Sequence, residues 1–166
     1  MSASPQILIV MGSENDLPVM REAADVLTEF GVACEMRISS AHRSPLRTMN
    51  LATEAAGRGI RIIIAGAGMA AHLAGVIASK TTLPVIGVPM PGGSLNGVDA
   101  LYSTVQMPGG IPVATMAIGK AGAKNAGIFA VQILALTEER LAKALEEYRR
   151  EMDEECARKD AAIQHP

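Results

Sequence analysis

The chain has 166 residues, of which 49% are hydrophobic, 19% charged and 2% aromatic, with a formal net charge of −2. That length suits one domain with a sizeable core, and the balance is the reverse of a disordered chain. The absence of a basic block and the scarcity of aromatics argue against nucleic-acid partners, which need a clustered positive patch or stacking platforms. Met1–Pro5 shows no charged segment leading into an apolar stretch, so no signal peptide is expected. No apolar run approaches the ~18 residues of a spanning helix, so no membrane partner is expected and the location expected is cytoplasmic.

Ile7–Val10 is a short, wholly apolar run, the pattern of a strand buried on both faces of a parallel sheet. Asp16 is placed to cap the first helix and Pro18 to sit in its first turn. Val19, Ala23, Val26, Leu27 and Phe30 follow at helical spacing, and Gly31 ends the helix. Val32–Ile38 reads as the second strand. Ser44 and Pro45 then cap and open a second helix that ends at Gly57 and Gly59. Ile60–Ile64 reads as strand three, Ala70–Lys80 as helix, and Pro84–Val88 as strand four. A shorter helix, Asn96–Val105, precedes strand five at Ile111–Ile118 and a helix at Gly122–Leu136. Strands alternating with helices imply right-handed crossovers in an open α/β sheet. The expected fold is a flavodoxin-like three-layer sandwich with a parallel five-stranded sheet in the order 2-1-3-4-5.

Thr137 is placed to cap a long charged helix from Glu138 to about Lys159, with Leu141, Leu145, Tyr148, Met152 and Cys156 on one stripe. At ~1.5 Å per residue this helix reaches roughly 33 Å, more than one sheet needs for cover. The expected division is therefore a domain at 1–136 and a helical arm at 137–166 that contacts another subunit of a homo-oligomer.

In open parallel sheets ligands bind beyond the carboxyl ends of the strands. Three loops belong there. Met11–Asp16 offers Gly12 for a tight turn, the Ser13 hydroxyl and the Asp16 carboxylate. Asp16 suits ribose hydroxyls and equally a plain helix cap; Ser13 reads equally as a turn residue. Ser39–Ser44 holds His42 and Arg43, a side chain that titrates near neutrality next to a fork for carboxylate or phosphate. Ala65–His72 is nearly featureless, and its small residues let a ligand approach the backbone. His72 reads equally as a helix-start histidine. Pro89–Gly97 and Gln106–Gly110 are loop-like and are candidates either for closing the site or for simple connections.

Several motifs fall short. Gly66, Gly68 and Ala71 spell GxGxxA, but on the third strand and with no acidic residue at the required distance, so dinucleotide binding is not expected. Gly119-Lys120-Ala121 lacks the hydroxyl and upstream glycine of a P-loop. His42, His72 and His165 show no ligand spacing, and Cys34 and Cys156 form no CxxC, so no metal site is expected.

The stretches MGSENDLPVM, SAHRSP, IIIAGAGMAAHLAG, LPVIGVP, LNGVDALYSTVQMPGGIPVATMAIG and NAGIFAVQIL run in order from Ile7 to Leu136. Together they resemble the bacterial N5-carboxyaminoimidazole ribonucleotide mutases of purine biosynthesis. The resemblance implies an octameric enzyme whose C-terminal helices reach neighbouring subunits. It implies carboxyl transfer from the exocyclic nitrogen of a ribonucleotide to its ring carbon, through trapped CO2, with no metal, ATP or organic cofactor. It places the catalytic histidine at His42 and substrate binding at Ser13, Asp16 and Arg43. Ser40, Ala41, Gly68, Ala71, His72 and Leu73, from SAHRSP and AGAGMAAHL, complete the expected substrate-binding set. Four features depart from the family pattern: Asn15 for a second Ser, Met69 for Gly, Ala74 for Pro, and Met90-Pro91-Gly92-Gly93 in place of a polar flap. Two alternatives remain: a direct CO2-dependent carboxylase of aminoimidazole ribonucleotide, and a non-catalytic nucleotide- or flavin-binding module.

Overall fold

A computed structural model describes residues 4–164. Met1–Ala3 and His165 lie outside the described residues, so the readings made on them have no structural counterpart. The chain divides into two compact units, 1–130 and 131–166.

Five parallel strands build the first unit: β1 (Ile7–Met11), β2 (Cys34–Ile38), β3 (Ile62–Ala67), β4 (Val85–Pro89) and β5 (Ala114–Thr115), in the order β2-β1-β3-β4-β5. This is the flavodoxin-like arrangement expected from the alternation of elements. β1, β3 and β4 occupy the centre and are buried almost throughout, as their unbroken apolar runs require. At one edge, β2 is half-exposed and carries Glu35, whose carboxylate is shared by Arg37 and Arg58.

Helices cover both faces. Leu8, Val10, Ile63 and Ala65 pack with residues of α2 (Pro45–Glu54) and α3 (Leu73–Ala78), among them Ala52, Leu73 and Ile77. α4 (Val98–Val105) joins that side, where a Cβ on Gly87 would run into Thr104 and lie 3.5 Å from the Ala74 Cβ. α1 (Leu17–Glu29) covers the other face through Met20, Ala23, Val26 and Leu27. The first part of α5 (Lys120–Ala135) lies against α1, with a Cβ on Gly127 falling 2.9 Å from the Ala23 carbonyl oxygen.

Several boundaries differ from the sequence reading, and in β3, α3 and β5 the reason is identifiable. β3 starts later and continues through Ala65-Gly66-Ala67, because Ala65 and Gly66 are paired on both sides, Gly66 with Met11 and with Val88, and Ala67 is paired with Pro89. Pairing overrides their weak intrinsic preference for strand. α3 starts three residues later than expected because Met69 adopts φ 56 and turns the chain before Leu73. β5 shrinks to two residues. Pro112 supplies no N–H, and β5 has a ladder partner on one side only.

In the second unit, α6 runs Glu139–Gln164, a length of 26 residues. It starts past Thr137, whose hydroxyl donates back to the Leu134 carbonyl at 3.3 Å. No breaker follows Lys159, and Gln164 donates to Asp160 one turn back at 2.8 Å, so the helix outlasts the expected end. Glu-to-Lys pairs at i,i+4 (Glu139–Lys143 at 2.7 Å, Glu155–Lys159 at 2.6 Å) line its solvated face. Leu141 is buried, whereas every described residue from Glu151 onward is exposed, Met152 at 54% and Ile163 at 78%. Among the described residues no helix is long and apolar enough to cross a membrane.

Candidate active site

The carboxyl ends of β1, β2, β3 and β4 release four loops toward a cleft of about 480 Å³. Its lining includes Ser13, Asp16, Ser40, Ala41, His42, Arg43, Gly68, His72 and Leu73. Of the residues expected at a site, only Ala71 is missing from that wall. It is 2% exposed and follows the turn at Met69, its N–H donating to the Met69 carbonyl at 2.9 Å.

The β1 loop is a 3-10 turn, Glu14–Asp16, capped by Ser13, whose hydroxyl accepts the Asn15 N–H at 3.0 Å. Asp16 does not cap α1. Its carboxylate reaches back and accepts the Ser13 N–H at 3.0 Å, closing a reciprocal capping box. Burial pushes the Asp16 carboxyl above its ordinary value, and the Ser13 and Gly12 N–H groups and the Arg43 charge pull only partly against it. Asp16 and Arg43 therefore act on one another across two loops.

The β2 loop rests on a hydroxyl network that sequence reasoning missed. Ser39 (2% exposed) and Thr48 (fully buried) are paired at 2.8 Å between their hydroxyl oxygens. Ser44 makes no side-chain cap to α2. Its hydroxyl turns into the loop, accepting the Ser40 N–H and donating to the Ser40 carbonyl, both at 3.0 Å. The Ser40 hydroxyl accepts the Arg43 N–H at 3.2 Å. The signal was present as a cluster of four hydroxyls around one histidine, but its direction was not legible. The network presents Arg43 so that Nη2 donates to the Gly12 carbonyl at 3.2 Å, tying the second loop to the first.

His42 and His72 meet from different loops. The Nε2 of His42 lies 2.8 Å from the Nδ1 of His72, with the rings edge-on at 82°. One nitrogen donates and the other accepts, so the contact couples the tautomers of the two rings.

The β3 and β4 loops close the remaining wall with small and apolar residues. A Cβ on Gly66 would run into Met20 and lie 2.8 Å from the Met90 Cε; a Cβ on Gly68 would lie 3.3 Å from the Met90 Cβ. The GxG is therefore a packing device over two methionines. Met90, only 3% exposed, lines the cleft floor, and Pro91, Gly92 and Gly93 line its rim. The Gln106–Gly110 turn is absent from the lining; Met107 there packs over Gly75 of α3. Among the described residues no three His, Cys, Asp or Glu side chains are grouped to hold a metal.

An imidazole pair, a guanidinium and a carboxylate gathered at the carboxyl end of the sheet are groups suited to proton transfer on an anionic ligand. Comparison with known proteins narrows this. Residues 6–155 match the family described as AIR carboxylase. The N5-carboxyaminoimidazole ribonucleotide mutase of Thermotoga maritima is 54% identical over 155 residues, covering 93% of this chain and 90% of that protein. The enzyme of the same name from Bacillus subtilis is 55% identical over 145 residues, 87% of this chain and 90% of that one. The crystal structure of Treponema denticola PurE superposes with a TM-score of 0.85 at 28% identity, covering 95% of this chain and 97% of that one. The chain belongs to the AIR carboxylase family.

Proposed function

We propose that this protein is an N5-carboxyaminoimidazole ribonucleotide mutase of purine biosynthesis, an isomerase that moves a carboxyl group within one nucleotide. The observation that carries the reading is the 54% identity to an enzyme of that name across nine-tenths of both chains. The cleft supports it with side chains suited to each step.

In this reading the phosphate is held by Arg43 and the Ser13 region, and the ribose hydroxyls by Asp16. Binding energy gathered there orients the distant ring. Protonated His42 gives its proton to the exocyclic nitrogen as the N–C bond breaks, leaving a free amine and CO2. The ring carbon then attacks CO2, forming the new C–C bond. His42, now neutral, removes the proton from that carbon and restores the aromatic ring. One proton is given and one is taken, so the net reaction is an isomerisation. Imidazole suits this because it both donates and accepts near neutral pH. Gly68 and the Ala/Met wall supply an enclosure with few polar groups, which limits escape of CO2 into water.

Residues 1–136 carry the chemistry in this reading, and 137–166 serve assembly of a homo-oligomer, an octamer in the cytoplasm. The exposed apolar stripe on the outer half of α6 supports the assembly role. Sedimentation giving a stable monomer of 17.3 kDa would overturn it.

The decisive experiment supplies purified protein with the N-carboxylated ribonucleotide in one arm, and the free ribonucleotide plus bicarbonate in the other. Conversion of the first at low bicarbonate is the expected result. Turnover of the second alone would replace the mutase with a direct carboxylase.

A further inference from the structure

We propose that Met69 is the residue that closes the cleft over the reacting ring and sets how well CO2 is retained between the two bond-changing steps; this deepens the mutase reading and rests on it.

Met69 and Asn96 are the two non-glycine residues at positive φ among the described residues. At φ 56 Met69 occupies the left-handed region, a conformation that is unfavourable for a side-chain-bearing residue and that glycine adopts freely. The turn is closed locally, the Met69 carbonyl accepting from the Ala71 N–H at 2.9 Å. A large apolar residue kept in this conformation calls for something its side chain does.

Its position supplies the answer. Met69 lines the cleft yet is 64% exposed, placing it at the mouth. Its Cγ lies 3.6 Å from where a Cβ on Gly93 would sit, so its side chain spans the gap between the β3 and β4 loops. The β4 loop is anchored at its base, where the Met90 N–H donates to the Ala67 carbonyl at 2.8 Å. Beyond that anchor, Gly92 and Gly93 at φ 134 and 64 carry no side chain that seals the rim. Met69 provides the missing bulk. Met90, 3% exposed, also belongs to the lining, so two methionines border the space proposed to hold neutral CO2. CO2 gains little from hydrogen-bond donors, and a wall of flexible, polarizable side chains excludes the water that would otherwise replace it.

The test uses substrate labelled with 13C in its N-carboxyl group, turned over in unlabelled bicarbonate, with the label in the product read by mass spectrometry. Wild type, Met69→Ala and Met69→Leu are compared. The expected result is a severalfold larger loss of label with Met69→Ala, little change in KM, and near-normal retention with Met69→Leu. Met69→Gly should leak as well, with a melting temperature equal to or above wild type because the turn is relaxed. Equal label retention in wild type and Met69→Ala overturns the inference, as does complete label exchange by the wild type. A wild type that fails to turn over the labelled substrate defeats the mutase reading itself, so the two failures are distinguishable.

Discussion

The Nε2 of His42 and the Nδ1 of His72 are 2.8 Å apart although 30 residues separate them in the chain. The β2 and β3 loops meet through these two rings, and the contact admits one proton between the two nitrogens. If His42 shuttles a proton, His72 fixes which face of the His42 ring is free to do so. His42→Asn should abolish turnover, a loss of roughly 10²–10⁴-fold, while ribonucleotide binding by calorimetry persists. His72→Phe removes the partner and should lower kcat by up to about 10²-fold through misplacement of the His42 ring, with little change in KM. His72→Asn, which can keep a polar atom near the Nδ1 position, should recover part of that loss. Combined with His42→Asn, His72→Phe should add nothing, because the two act as a unit. Additive losses in the double variant would show that His72 works independently.

In the proposed reading Arg43 has two tasks in this site, and they can be separated. Its Nη2 is spent on the Gly12 carbonyl, and the rest of the guanidinium is available to an anion. A charge-assisted hydrogen bond contributes about 1.5–3 kcal/mol, so Arg43→Ala should raise KM about ten- to a hundredfold with a smaller change in kcat. Salt distinguishes the tasks. The wild-type KM should climb with ionic strength more steeply than that of Arg43→Ala, because only the phosphate contact is screened in this way. Parallel salt dependence in the two proteins would mean that Arg43 only ties the loops.

Much of this architecture was legible in the chain. Ile7–Val10 and Pro84–Val88 are apolar without interruption, and only a strand buried on both faces tolerates that. The β2 loop was legible because His42 and Arg43 are adjacent and follow a strand. What stayed hidden depends on contacts distant in sequence. Asp16 looked like a helix cap, yet its carboxylate turns back to Ser13, a choice set by the 3-10 turn before α1. Ala71 reads as a lining residue of the glycine loop, yet it is 2% exposed, a burial that its own side chain does not signal. Pro89–Gly97 was legible as a loop that could close the site, but the packing of Met90 under Gly66 and Gly68 was not, since it depends on residues distant in the chain.

The raised pKa of Asp16 makes it a cost to the empty enzyme. Its ordinary value is 3.8, and burial moves it upward in the folded protein. Between 3.8 and the raised value the folded state binds more protons than the unfolded state, so stability falls as pH rises through that window. At neutral pH the ionised carboxylate is therefore a net penalty. Asp16→Asn keeps an oxygen for the Ser13 N–H and removes the buried charge. Its melting temperature at pH 7 should equal or exceed that of wild type, and the difference should shrink as pH falls toward 3.8. The same variant should raise KM, since an amide is a poorer acceptor for ribose hydroxyls. A variant that melts lower at pH 7 would show that the ionised form stabilises the β1 loop.

Ser39 and Thr48 anchor the β2 loop from outside the cleft lining. Their hydroxyls pair at 2.8 Å in a buried setting, and Ser39 has one weaker neighbour, the Ser44 hydroxyl at 3.4 Å. Thr48→Val preserves shape and deletes the partner. A buried polar group left unsatisfied costs about 1–3 kcal/mol. For a chain of this size that is a drop in melting temperature of about 2–10 °C. Because Ser44 binds Ser40, and Ser40 binds the Arg43 N–H, loosening Ser39 should travel to the residues that face substrate. The variant should therefore lose activity as well as stability. Adding Ser39→Ala removes the orphaned hydroxyl, and replacing both partners by apolar groups is nearly neutral. The double variant should regain most of the lost melting temperature without regaining all of the activity, because the loop's polar anchor is still gone. Thermal melts and steady-state kinetics on the three variants check this. A Thr48→Val protein that melts with wild type would show that the Ser44 contact alone holds Ser39.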